Sequence, residues 1–369
     1  MIPLGKVEID ENEIDAVKDV LNSGWLAHGP KTKEFEKMFA EYIGTKHAIS
    51  VNSCASALHL AIECLGIKGD IILPSFTFVA SANTIVTAGS NPVFVDIEKD
   101  TCNINPHEIE KKITDKTKAI MPVHFAGHPC DMKHITEIAE KNNLVVIEDS
   151  AECIGGEFNG KRTGSSGIGC FSFYPTKNIT TGEGGMITTN DDDFAQKLKT
   201  LKAHGISSTA YEREREERPW LRAAVEAGYN FRMCDINAVI GIEQMKKIDE
   251  FNKKRIESSN YLTSKLDENK LEVPTIREGC KHVFQMYTIK LNPSINRSHF
   301  VKHLREEGIQ ASVHFDPPVH LQPYYANRGW KKGDFPVTED VAEHIVTLPM
   351  FPSIKREDLD RIAQVINSF

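Results

Sequence analysis

Two residues, Lys177 and Asp149, combine the types and placement that covalent chemistry on a carbonyl requires. Lys177 lies in GCFSFYPTKNITTGEGGMITTN, residues 169–190. The run from Cys170 to Phe173 alternates small and aromatic side chains as a short strand does, and Pro175, which cannot donate to a ladder, ends it. Lys177 is therefore expected on a loop just past a strand end. Gly182, Gly184 and Gly185 follow, allowing a sharp turn or close backbone approach, before a second strand from Met186 to Thr189. A lysine held at such a junction is partly desolvated, which favours the neutral, nucleophilic amine that forms a Schiff base. Asp149 closes the apolar run LVVIED, the pattern of a buried parallel strand that delivers acids to the carboxyl edge of a sheet, where open α/β sheets bind ligands. Taken alone, Lys177 reads as a surface lysine. Paired with a strand-end carboxylate, it matches a cofactor that needs an amine for its aldehyde and an acid for its ring nitrogen, pyridoxal phosphate.

The elements that would position this pair alternate between strand and helix patterns. Residues 9–21 and 33–42 place apolar side chains at helical spacing and read as packing helices, joined by the loop SGWLAHGPKT. Residues 48–52 read as a strand, and Ser53 opens a helix with the stripe Leu58, Ala61, Ile62 and Leu65. The free N–H groups and positive dipole end of that helix suit a phosphate; the competing reading is a plain N-cap. Further strands are expected at 71–74 and at 118–124, ending at His124, with a helix over 132–142. A single helix over 235–254 is expected to bridge two domains. From about residue 255 short strands and helices suggest a small α+β unit. The acidic and basic run at 212–218 reads as a solvated helix or loop and gives no evidence of function.

A chain of 369 residues supports about two domains. Its formal charge of −8 leaves no basic surplus for a nucleic-acid backbone. No apolar run approaches the length of a membrane span and no signal-peptide core opens the chain, so a cytoplasmic protein is expected. Eight scattered cysteines without a C-x-x-C pair indicate neither a disulfide framework nor a zinc knuckle. His124, His128 and Cys130 are compact in sequence but lack a further ligand cluster, so no metal site is expected.

VIEDSAECIGG, SFYPTKNITTGEGGMI, AGYNFRMCDINA and HFDPPVHLQPYY, in this order and spacing, resemble the DegT/DnrJ/EryC1/StrS family of sugar aminotransferases. The resemblance covers nearly the whole chain. It implies a fold-type I α/β protein that binds pyridoxal 5'-phosphate: a large, mostly parallel sheet domain of the seven-stranded type over 1–250 and a smaller α+β domain over 251–369. It implies a homodimer with active sites shared between subunits. Lys177 would carry the cofactor and move the proton; Asp149 would keep the ring nitrogen protonated. Ser53, Cys54, Ala55 and Ser172 would hold the phosphate with Asn230 of the neighbouring subunit, although the family's usual Ser-Gly-Thr is replaced at 53–55. Phe78 would stack on the ring, Ala151 would lie against it, and Glu152 occupies a place where many members have Gln or His. Trp25, His28, His314 and His320 would face the substrate. The implied reaction moves an amino group from glutamate to a nucleotide-linked keto sugar, with the 4-keto class favoured over the 3-keto, for amino-sugar and cell-surface glycan synthesis. Rival readings are a pyridoxal-phosphate sugar dehydratase or lyase, against which Lys177 argues because dehydratase relatives carry histidine there, and a non-catalytic regulator, for which no span is left to form an added module.

Overall fold

The structure is a computed structural model that describes residues 1–206, 220 and 222–369, so the charged run at 212–218 lies outside the described residues. A seven-stranded sheet is built from β1 (His47–Val51), β2 (Asp70–Pro74), β3 (Asn91–Val95), β4 (Thr117–Ile120), β5 (Val145–Asp149), β6 (Ile168–Ser172) and β7 (Gly185–Thr189), in the order β1-β7-β6-β5-β4-β2-β3. Strands β3, β2, β4, β5 and β6 run parallel, and β7 is antiparallel to both its neighbours. The mostly parallel sheet and the α/β class agree with expectation.

Apolar side chains cover both sheet faces, as parallel strands require. On one side, helix α1 (Cys54–Leu65) packs Leu58, Ala61 and Ile62 against Ile49, Leu73, Ile147 and Ile187. Its N-cap is Ser53, whose hydroxyl accepts the Ser56 N–H at 3.1 Å. On the other side, α2 (Pro106–Lys112) and α3 (Met132–Asn142) bring Ile109, Ile135 and Ile138 onto Ile72, Ile120 and Val146. Full burial of each such side chain is worth about 1.5–3 kcal/mol.

Two expected elements are corrected. The strand ending at His124 stops at Ile120, because Pro122 has no N–H for the ladder; the chain continues alongside β5 through the Asp149 N–H to Pro122 carbonyl bond at 2.9 Å. The single helix over 235–254 is two helices, α4 (Asp235–Met245) and α5 (Ile248–Thr263). At the bend, Lys247 turns its ammonium onto Asp10 and Glu13 at 2.7 Å, a tertiary ion-pair arrangement that helical periodicity alone does not encode.

The C-terminal region forms a second sheet, β8 (Leu271–Glu272), β9 (Tyr287–Leu291) and β10 (Ile345–Leu348), antiparallel throughout, with a core of its own. The chain start belongs to this region: Ile2 bridges Ile309, and the Leu4 carbonyl accepts the Met350 N–H. We propose a division near residue 250; that position falls within α5, which makes this helix the connection between the two units. Among the described residues, no helix is long and apolar enough to cross a membrane.

Candidate active site

Strand β5 ends on Asp149, which is 4% exposed. Its carboxylate accepts from the Ser81 hydroxyl at 2.7 Å and the Ala151 N–H at 3.2 Å. Burial nevertheless pushes its pKa up, outweighing those hydrogen bonds and the more distant Lys177. The neighbouring acid, Glu148, serves the scaffold. It is fully buried, lies 3.0 Å from the His124 ring, and accepts the N–H groups of Gly164, Ser166 and Gly167. Successive strand residues point to opposite faces, so only one of the two acids reaches the site.

Strand β6 ends at Ser172, and the chain turns so that the Lys177 N–H meets the Tyr174 carbonyl. The loop is pinned on both sides of the lysine. Gln285 donates to the Thr176 carbonyl at 2.8 Å, and Asn178 donates to Asn252 at 2.7 Å. Gly182 takes the left-handed conformation with φ 79°. Asn237 ties the same loop to α4 by donating to the Thr181 carbonyl at 2.6 Å. The Nζ of Lys177 donates to Glu152 Oε1 at 3.3 Å.

These groups share one cavity of about 780 Å³, lined by Ser53, Cys54, Ala55, Phe78, Asp149, Ala151, Glu152, Ser172, Lys177 and His314. Phe78 is 60% exposed although it is in this wall, so it is not packed into the core. A side-chain carbon at Gly185 would stand 2.5 Å from the Ser53 carbonyl, so only glycine lets β7 pass this close beneath the start of α1. His314 shares a hydrogen bond with Thr347 at 2.8 Å, and burial lowers its pKa, with Lys177 adding to the effect.

Three residues expected to face the substrate, His320, Trp25 and His28, lie outside this cavity of the chain. His320 is fully buried, 2.5 Å from the Ser75 hydroxyl and 3.1 Å from Glu339. It braces its proline-rich loop and does not line the cavity. Trp25 and His28 lie together in a loop beside Asp235, where the Trp25 ring N–H donates to the His28 carbonyl and Asp235 accepts from Gly29. Burial lowers the His28 pKa to about 4, so this ring is neutral near pH 7. Asn230 is exposed, with its backbone bridged to Ala203, and does not line the cavity of its own chain.

The cavity wall also includes residues that motif reading did not reach. Lys6 arrives from the start of the chain and Gln310 from the C-terminal region. Arg255 is 4% exposed; its Nη1 donates to the carbonyls of Phe284, Gln285 and Met350, while Nε has no hydrogen-bond partner among the described residues. Burial lowers its pKa to about 10.

The donor set fits pyridoxal phosphate. Lys177 supplies the amine for an aldehyde, and Asp149 is a buried carboxylate whose charged form would gain from a ring N–H⁺. The first turn of α1, with Ser172 nearby, offers donors to a phosphate.

The comparisons with known proteins agree. The DegT/DnrJ/EryC1/StrS aminotransferase family model matches residues 7–367. The chain is 38% identical to the spore coat polysaccharide biosynthesis protein SpsC of Bacillus subtilis over 374 residues, covering 99% of this chain and 96% of the relative. It is also 38% identical to GDP-perosamine synthase of Caulobacter vibrioides, covering 99% and 97%. Among solved structures, a putative sugar aminotransferase, Spr1654 of Streptococcus pneumoniae in its PMP form, superposes with a TM-score of 0.95 at 28% identity, covering 100% of this chain and 98% of that one. With the cavity, the amine and the buried acid in place, the chain belongs to the DegT/DnrJ/EryC1/StrS aminotransferase family and is a pyridoxal-phosphate-dependent aminotransferase.

Proposed function

We propose that the enzyme transfers the amino group of glutamate to a nucleotide-linked 4-keto sugar. The observation that carries this reading is the single cavity holding Lys177, Asp149 and the start of α1, with the buried cation Arg255 in its wall and no carboxylate bonded to it among the described residues. The Arg255 guanidinium offers a local partner for an anionic group, which both the amino acid and a nucleotide sugar carry, although Asp149, Glu152 and Glu183 stand in the same wall. The name of GDP-perosamine synthase supports a nucleotide-linked sugar.

Bound in this cavity, pyridoxal phosphate supplies the electron sink for amino transfer. Lys177 would take the proton from the amino-bearing carbon of the donor and, from the ammonium so formed, supply the proton that the acceptor carbon gains. Asp149, held by Ser81, would keep a proton on the ring nitrogen. Ser172 and the first turn of α1 would hold the phosphate, with Asn230 of the partner subunit in a homodimer. Phe78 would shield the ring from water.

Incubation of the pure holoenzyme with glutamate and a panel of nucleotide-linked 4-keto and 3-keto sugars, with mass spectrometry of products, tests the reading. An amino sugar nucleotide from a 4-keto acceptor is expected. Products only from 3-keto acceptors, or a dehydrated sugar without nitrogen gain, would overturn it.

A further inference from the structure

On the outer side of the sheet, His107 and Glu110 stand one turn apart on α2, and residues at this spacing share a helix face. His134 sits in the first turn of α3. The two helices are locked together beneath them, where Ile109, Met132 and Ile135 share one core. That packing brings one ligand atom from each of the three side chains within 4.8 Å of the others. The imidazole rings already meet edge to face at 5.1 Å.

Among the described residues none of the three side chains has a hydrogen bond or ion pair, and the nearby Lys111 is taken by Glu108 at 2.6 Å. Two imidazoles and one carboxylate are the donor set that binds zinc with a position left for water. Zinc bonds of ~2.0–2.2 Å place tetrahedral ligands ~3.4 Å apart, so no pair has to close by more than ~1.4 Å, which side-chain rotation supplies at a solvent-facing site. His107 and Glu110 are exposed and His134 is half-buried, leaving an open path for the ion.

We propose that His107, Glu110 and His134 form a binding site for one divalent zinc-type ion, which clips α2 to α3 away from the catalytic cavity. None of the three lines that cavity.

The test uses the metal-stripped holoenzyme with Zn²⁺ in equilibrium dialysis and Co²⁺ as a spectroscopic probe. One ion per chain is expected, with visible bands of low-symmetry Co²⁺ and a rise in melting temperature on adding Zn²⁺. His107→Ala and His134→Ala should each weaken binding by at least about tenfold, and Glu110→Gln should weaken it while keeping the side-chain shape. These positions are at the surface, so the variants should fold and retain transamination. Unchanged stoichiometry and affinity in the doubly substituted protein, which would place the ion on other histidines, would overturn the proposal. So would the absence of saturable binding.

Discussion

Lys177 and Glu152 are joined at 3.3 Å between Nζ and Oε1, while Oε2 of the same carboxylate accepts the Ala126 N–H at 3.0 Å. One oxygen anchors Glu152 to buried backbone and the other positions the amine. Glu152→Gln keeps an acceptor for Ala126 and should retain turnover within about tenfold, a change of about 1.4 kcal/mol in barrier. Glu152→Ala leaves that N–H unsatisfied, at a cost of about 1–3 kcal/mol, and frees the lysine. It should lower both kcat and Tm. Wild-type values of both in Glu152→Ala would exclude this positioning role.

Lys177→Ala should fold, because the loop is held by Gln285 and Asn178 on either side of it. It should lose the visible absorbance of the lysine-linked cofactor together with transamination. Full turnover in this variant would remove Lys177 from the mechanism.

Asp149→Asn separates stability from catalysis. Burial raises the Asp149 pKa, so the folded apoenzyme holds its proton more tightly than the unfolded chain does. Stability is therefore complete below the ordinary aspartate range and falls as pH rises from about 4 through the raised value. Without cofactor, Asp149→Asn should melt higher than wild type near neutral pH, and the gap should close on acidification. With cofactor, turnover should fall by two orders of magnitude or more, in line with ~3 kcal/mol for a lost charge at a reacting centre. A matched turnover would show that another group protonates the ring; Glu148 is a poor substitute, committed as it is to His124 and three backbone N–H groups.

That commitment carries its own expectation. Glu148→Ala leaves His124 and the N–H groups of Gly164, Ser166 and Gly167 without their acceptor, and each buried donor left unsatisfied costs about 1–3 kcal/mol. Chemical denaturation should show a loss of this order, with the residual folded enzyme still binding cofactor. A stability change under 1 kcal/mol, roughly a surface effect, would contradict the assigned role.

Local sequence grammar made much of this legible. An apolar run ending in acids, a proline-broken strand before Lys177 and a serine-capped helix are each written in consecutive residues, and each folds as that grammar implies. What escaped depends on contacts between distant segments. His320 sits between prolines like a binding-loop residue, but Ser75, 245 positions away, and Glu339 claim both ring nitrogens. Arg255 and Lys6 reach the cavity from segments with no motif of their own. His107, Glu110 and His134 belong to two helices whose packing alone unites them. Periodicity ran one helix through Lys246–Lys247, where ion pairs with the N-terminal helix accompany a bend.

The position of Asn230 leads to the last expectation. It is exposed, anchored by backbone to Ala203, and absent from the wall of its own chain's cavity. If it holds the phosphate, it does so in a second subunit. Lys177→Ala and Asn230→Asp would each be impaired as homodimers, the second because a carboxylate replaces a donor beside an anion. In a heterodimer of the two, one site would combine Lys177→Ala with the partner's substituted position 230 and carry both lesions. The other would combine an intact Lys177 with an intact Asn230. Co-expressed, differently tagged and separated heterodimers should therefore recover up to about half of wild-type activity per dimer, since groups that act as a unit fail together. Activity no higher than that of the parent homodimers would assign Asn230 to its own chain's lysine, or rule out a dimer with shared sites.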